Sequence, residues 1–514
     1  MGSDSYQTTS ANKRIARNSI YMTIRMVIVL LITLFTTRVV LKALGVVDYG
    51  VYNVVCGFVT LFSFLSTSLS NGIQRFYNFE LGRSGIEGAR KVFNSGLLIQ
   101  LCIAIFILLI VESFGLWYLH HKMVIPDDRM LAASWIFQFS MVSFLFSVIQ
   151  APFLAAIMAH ERLDFYAIIS VVDAILKLLI AYILSFVDGD KLIIYGALYA
   201  LISVINFMSY SIYAKLNFAE ISLNFHLEKG ILRNMLEFSG WNLIGTFANI
   251  MKEQGVNLIL NLFCGPVVNA ARGVAAQVNG GLQSFVQNLT VPVRPQVIQS
   301  YAKGDIARTM NLTFMISKMS CFVLYALALP VSYEIDFILS LWLGGNVPEH
   351  TDHFVIISML IVFVNNLNAA ISGVVHASGQ MRKYQVSTSL VSLISLPFAY
   401  VVMRLGAKPE IALLIVFAFV ALAQIVALFV LKGIVHFSIK QYIYKVIWPL
   451  VKVVILTIWI PLLIVATLHP SFVRLVITTI VSLFFLTIIG YYVCLNKNEK
   501  LVILSYLHRL IKRY

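Results

Sequence analysis

The sequence predicts an all-α, polytopic membrane protein of about 14 transmembrane helices, built as two six-helix lobes with two extra helices at the C-terminal end. Three observations carry this. Of 514 residues, 60% are hydrophobic and only 12% charged, about half the charged fraction of a soluble protein, and mean hydropathy is +0.87. Apolar stretches of twenty or so residues recur from end to end, each long enough to cross a bilayer. One layout also occurs twice, 220 positions apart.

The repeat is clearest around residues 44–83. A Leu-Gly turn and an Asp-Tyr-Gly motif (48–50) lead into a long apolar helix. Ser63, Thr67, Ser70 and Gln74 recur along it at steps of 4, 3 and 4, which is one helical face. Gly45 returns as Gly265, and the same face then reads Gln283, Gln287, Thr290 and Arg294. The basic, turn-rich end of the unit returns as YAKGD (301–305), GIEGAR (85–90) is echoed by GDIAR (304–308), and Arg162 by Arg382.

In chain order, the first half gives spans at 17–42, 49–76, 91–119, 130–157, 164–187 and 192–214. The second gives 233–262, 267–300, 308–331, 353–376, 384–404 and 409–432; two more follow at 446–467 and 471–494. The domains expected are an N-terminal lobe (1–220), a C-terminal lobe (221–433), and a last pair of spans with a basic amphipathic tail (434–514). An even number of spans per unit repeats with the same orientation, so the lobes should be related by an axis along the membrane normal, as in parallel-repeat transporters.

Loop charges orient the chain. Arg14, Arg17, Arg83, Arg90, Lys215, Lys229, Arg308, Lys383, Lys440 and the tail fall on one side, and Glu334, Asp336, Glu349 and Asp352 on the other. The positive-inside rule puts both termini in the cytoplasm and accounts for the net charge of +15 without nucleic acid. The polar start and the full-length first span read as an anchor rather than a cleaved signal. The five cysteines have neither paired nor metal-ligand spacing and read as packing residues.

Ionisable residues inside spans are costly and so are functional candidates. Arg25 lies in span one, Asp173 and Lys177 one turn apart in span five, Lys252 and Glu253 in span seven, Arg272 at the start of span eight and Lys318 in span nine. Span seven carries a polar stripe of Asn242, Thr246, Asn249, Glu253 and Asn257. Gln283, Gln287 and Arg294 continue such a face on span eight, where lipid would leave them unsatisfied, so a water-filled cavity is expected there. The substrate-binding set is Arg25, Lys252, Arg272, Lys318, Asn249, Gln283 and Gln287. Asp173 and Glu253 are coupling-ion candidates for Na+ or H+, and Lys177 and Arg294 are further cavity residues. Two readings of Asp173 and Lys177 stay open, a functional pair and a self-neutralising pair that fixes helix packing. Cations outnumber acids in this set, and such a chamber attracts anions, phosphate above all.

The stretch LGVVDYGVYNVVCGFVTLFSFLSTSLSNGIQRFYNFELGR resembles the start of bacterial polysaccharide flippases of the O-antigen (Wzx) type, within the multidrug/oligosaccharidyl-lipid/polysaccharide (MOP) exporter superfamily, and VPVRPQVIQSYAKGD is similar to the matching second-half segment. The resemblance implies a V-shaped, two-lobed bundle in the bacterial inner membrane. It would flip undecaprenyl-pyrophosphate-linked oligosaccharide by ion-coupled alternating access, with membrane lipids and polysaccharide polymerase or export machinery as partners. Related flippases use cationic cavity residues, and Arg25 fits a first-helix arginine of that kind.

Two rival readings stand beside it. One is a cation-coupled multidrug exporter of the same superfamily, which would place an acid in span one; residues 15–44 contain none. The other is a non-transporting, lipid-binding scaffold of a glycan synthase, which leaves the polar stripes unexplained. No nucleotide-binding motif, paired catalytic carboxylates, nucleophile motif, metal cluster or cofactor signature stands out, so neither an enzyme nor a direct ATPase is expected.

Overall fold

The structure is a computed structural model and describes residues 2–222, 229–290, 293–368, 371–378, 380–435, 437–495 and 500. Side chains are described from residue 21 onward, apart from 229, 238, 241, 288–289, 294–295, 302, 372–373, 376–377 and 381. The basic C-terminal tail therefore lies outside the described residues, as does the side chain of Arg294.

Among the described residues the fourteen expected spans fall largely on helix. In the first half these are α1 (Gly2–Thr60), α2 (Ser63–Ile110), α3 (Leu116–His121), α4 (Met130–Ala159), α5 (Leu163–Ile183) and α6 (Lys191–Asn217). Next come α7 (Lys229–Cys264), α8 (Pro266–Thr290), α9 (Arg294–Ala302), α10 (Ile306–Tyr333), α11 (Ile335–Leu343), α12 (Thr351–Leu367), α13 (Ile371–Ser378), α14 (Met381–Arg404) and α15 (Pro409–Ile434). The end of the chain holds α16 (Ile439–Tyr442), α17 (Trp448–Thr457), α18 (Trp459–Thr467) and α19 (Phe472–Val493). Ten helices among the described residues are long and apolar enough to cross a membrane. The protein is a multi-pass membrane protein. Large apolar side chains such as Leu31, Leu109, Phe186 and Leu463 lie exposed on helix surfaces, as lipid-facing residues do.

The first three spans are not separated by loops, because glycines turn the chain within helices. Gly45 in α1 has φ +81°, and Gly85 in α2 has φ +65°. One residue at positive φ redirects the backbone while the peptides on either side stay helical, and glycine alone reaches that region without strain. Gly265, the counterpart of Gly45, has φ +76°, and Gly304, in the echo of the Gly85 motif, has φ +75°. The repeat thus persists as backbone conformation where few side chains are shared.

Polar side-chain contacts recur as well. Arg129 grips Asp48 through Nε and Nη2, at 2.7 and 2.6 Å, and Asp190 through Nη1 and Nη2, at 2.9 and 3.1 Å. Asp190 also caps α6 by accepting from the Leu192 and Ile193 amides. The Asp of the Asp-Tyr-Gly motif is therefore half of a clamp joining three segments. About 220 residues later His350 Nδ1 lies 2.6 Å from Glu410 Oε1, tying the segment before α12 to the start of α15.

The chain forms two compact units. One comprises Met1–Gln277, Trp342–Phe354 and Ser389–Val416; the other comprises Val278–Leu341, Val355–Thr388 and Phe417–Tyr514. In the first unit, Val51, Val54, Phe58, Ile107, Phe137 and Met141 form an apolar core among α1, α2 and α4, with Phe58 stacked on Tyr118 at 5.2 Å. In the second, Phe314, Leu431, Tyr442, Val446 and Leu486 do the same for α10 and α15–α19. There α19 is locked to the end of α10. Arg474 donates to Glu334 Oε2 at 3.2 and 2.7 Å, and Thr478 donates to Oε1 at 3.1 Å.

Candidate functional site: a polar cavity in the first helical bundle

Polar side chains recur at helical spacing on three neighbouring helices. They are Ser140, Ser143, Ser147 and Gln150 on α4, Tyr166, Ser170, Asp173 and Lys177 on α5, and Tyr199, Ser203, Asn206 and Tyr210 on α6. Steps of three and four residues place each set on one helix face. All three faces, with Arg25, Tyr52 and Cys56 of α1, line a single cavity of about 600 Å³. That volume lies within the range of small-ligand sites. Of these residues the sequence reading selected Arg25, Asp173 and Lys177. It did not select the α4 and α6 stripes.

Asp173 is fully engaged. Lys177 Nζ donates to Oδ2 at 2.9 Å, and Asn206 Nδ2 donates to Oδ1 at 2.7 Å. The Lys177 ammonium also lies 4.8 Å from the centre of the Tyr199 ring. Arg25 is less completely engaged. Its Nη1 donates to the Tyr166 hydroxyl at 3.4 Å, its guanidinium lies 4.9 Å from the Tyr166 ring centre, and its Nε is buried without a hydrogen-bond partner. Among the described residues Arg25 makes no ion pair. Arg25 and Lys177 against Asp173 leave the cavity one positive charge in excess.

The remaining candidates fall elsewhere. Arg272 on α8, 8% exposed, donates through Nη2 to Glu253 Oε2 of α7 at 2.6 Å. Lys252 is buried, whereas Asn249 is exposed. Asn257, the end of the α7 stripe, sits in an amide ladder. Its Nδ2 donates to the Asn53 carbonyl at 3.3 Å, and it accepts from Asn269 Nδ2 at 2.8 Å. Asn261 extends the ladder by donating to Asn269 Oδ1 at 3.0 Å and to the Val124 carbonyl at 3.1 Å. Here α1 meets the α7–α8 turn closely enough that a Cβ on Gly50 would lie 1.8 Å from the Pro266 carbonyl oxygen. In the second unit Lys318 is buried, Gln283 is half-buried and Gln287 is exposed. Among the described residues no group of three His, Cys, Asp or Glu side chains could hold a metal ion.

The fold is similar to that of solved MOP-superfamily transporters. No family model matches the chain, and no curated protein matches it either. Solved structures do. The lipid II flippase MurJ in an inward closed conformation has a TM-score of 0.67 at 13% identity, covering 93% of this chain and 98% of that one. An inward-facing multidrug resistance MATE family transporter of the MOP superfamily has a TM-score of 0.62 at 12% identity, covering 80% and 97%. A eukaryotic MATE transporter has a TM-score of 0.53 at 15% identity, covering 86% and 98%. At these identities the likeness is one of fold.

Proposed function

We propose that this protein flips an undecaprenyl-pyrophosphate-linked oligosaccharide across the bacterial inner membrane, by ion-coupled alternating access of its two lobes, 1–220 and 221–433. Both termini face the cytoplasm in this reading, and spans thirteen and fourteen stand outside the repeat. The observation that carries it is the cavity of the first bundle. Arg25 supplies a planar set of donors whose charge no described carboxylate offsets, and a phosphate oxygen of the substrate supplies that charge. The tyrosines offer ring faces, and the serines, Gln150 and Asn206 offer the hydroxyl and amide groups that sugars bind. The other substrate-binding candidates, Lys252, Arg272, Lys318, Asn249, Gln283 and Gln287, belong to the same proposal, with membrane lipids and polysaccharide-assembly proteins as partners.

A multidrug exporter shares the fold but fits the cavity less well. A site for organic cations needs surplus negative charge, whereas this one has surplus positive charge. The direct test is reconstitution of the purified protein into vesicles with a fluorescent lipid-linked oligosaccharide in the inner leaflet. Protein-dependent appearance of the label outside, without export of cationic dyes, supports the flippase. Dye export without flipping supports the rival.

A further inference from the structure

Both candidate acids have a cationic partner. Asp173 is held by Lys177 and Asn206, and Glu253 by Arg272. The group left over is Lys252. It does not lie on the polar stripe of α7 but on the helix's core face, in line with Ala248, Val256 and Ile259 at steps of four, four and three. Its relative exposure is 5%, against 3%, 2% and 8% for those three apolar neighbours. Among the described residues its amine has no hydrogen-bond or ion-pair partner. The charged groups that act on it are Glu253 of its own helix and Arg272 of α8, which are already paired at 2.6 Å.

Among the described residues two cations and one carboxylate thus share this corner. Arg272 cannot shed its proton under any ordinary condition, so of the two cations only Lys252 can change its charge. A buried amine without a counter-charge favours its neutral form, whereas the same amine in contact with water is protonated.

We propose that Lys252 is a proton-binding site of the transport cycle. This rests on the alternating-access reading above. When the core face of α7 is packed, as here, burial disfavours the charged ammonium and Lys252 gives up its proton. When the cycle wets that face, Nζ takes a proton from the aqueous phase, forming one N–H bond. On repacking it returns the proton to the water then in contact with it. Protons so bound on one side and released on the other couple the cycle to the proton gradient through a base, with no intramembrane acid needed.

The test uses full-length protein in vesicles adsorbed on a solid-supported membrane, with protons as the only probe. A pH jump should evoke a transient charge displacement that saturates with pH. Lys252→Met should abolish it, and so should Lys252→Arg, which stays charged throughout. Both variants are checked by their elution as a single folded species, and the arginine variant serves if the methionine variant does not fold. Glu253→Gln should retain the displacement but move its midpoint to lower pH, because the negative charge that favours protonated Lys252 is gone. An undiminished displacement in Lys252→Met or Lys252→Arg overturns the proposal, as does its abolition in Glu253→Gln, which would make the acid the carrier. Wild-type vesicles that flip substrate without any displacement overturn it while leaving the flippase reading intact. Displacement without flipping overturns the flippase reading instead.

Discussion

Glu334→Gln should cost more stability than any surface substitution in this protein. The Glu334 side chain is fully buried and that of Arg474 is 8% exposed. The carboxylate accepts two bonds from the guanidinium and one from Thr478, and the only other described acceptor for Arg474 is the Leu468 carbonyl. The glutamine amide keeps the shape but removes the charge, and it presents donors where Arg474 also presents donors. Removing one partner of a buried pair costs about 3–5 kcal/mol, because the other charge stays buried without compensation. At 1.4 kcal/mol per decade this is a shift of roughly two to four decades in the folding equilibrium. The assay is unfolding of purified protein in mixed micelles titrated with sodium dodecyl sulfate, followed by tryptophan fluorescence. The double variant Glu334→Leu/Arg474→Met, with no charge left to bury, should recover most of the loss. A wild-type midpoint for Glu334→Gln, or a double variant weakened by the sum of its single changes, would refute the view that this pair fastens the last spans to α10.

Two further outcomes follow from local geometry. Gly50→Ala places a methyl group against the Pro266 carbonyl and should lower the thermal midpoint by the equivalent of about 1–3 kcal/mol, whereas Gly240→Ala, with nothing within 4 Å, should be neutral or gain up to about 1 kcal/mol. The second concerns Glu220, which is buried and accepts from His160 Nε2 at 2.5 Å and from the Tyr77 hydroxyl at 2.7 Å. Burial pushes its carboxyl up, but these two hydrogen bonds outweigh burial and hold it below the ordinary 4.5. A lowered folded value means stabilisation that is complete above the ordinary carboxylate range and lost as pH falls through the depressed value. Thermal melts of wild type and Glu220→Gln should therefore differ at pH 7 and converge as the pH is taken below 4.5; a gap that widens on acidification would contradict this assignment.

The helices were legible because lipid leaves a chain little choice: runs of apolar residues must form helices that satisfy their own backbone. The glycines were legible as repeat markers, but not as kinks inside continuous helices, since a turn made by one glycine leaves no polar loop to read. Arg25, Asp173 and Lys177 could be singled out because charge within a span is rare. The stripes on α4 and α6 could not be told from ordinary packing, because serine, tyrosine and asparagine are unremarkable inside a bundle. Long-range pairs were invisible for a different reason. Glu334 read as part of an acidic loop and Arg474 as the start of the last span, and nothing local says that they meet across 140 positions. Arg129, with its grip on Asp48 and Asp190, was hidden in the same way.

The central claim is that Arg25, which no described carboxylate pairs, recognises an anionic, lipid-linked glycan. It is tested most directly by glycan export in cells that carry Arg25→Ala or Arg25→Lys as their only copy of this protein, with membrane protein levels measured alongside. Arg25→Ala should abolish export at near-normal protein level, and Arg25→Lys should restore only part of it, because an ammonium replaces charge but not the bidentate grip. Normal export by a stably inserted Arg25→Ala protein would contradict the claim.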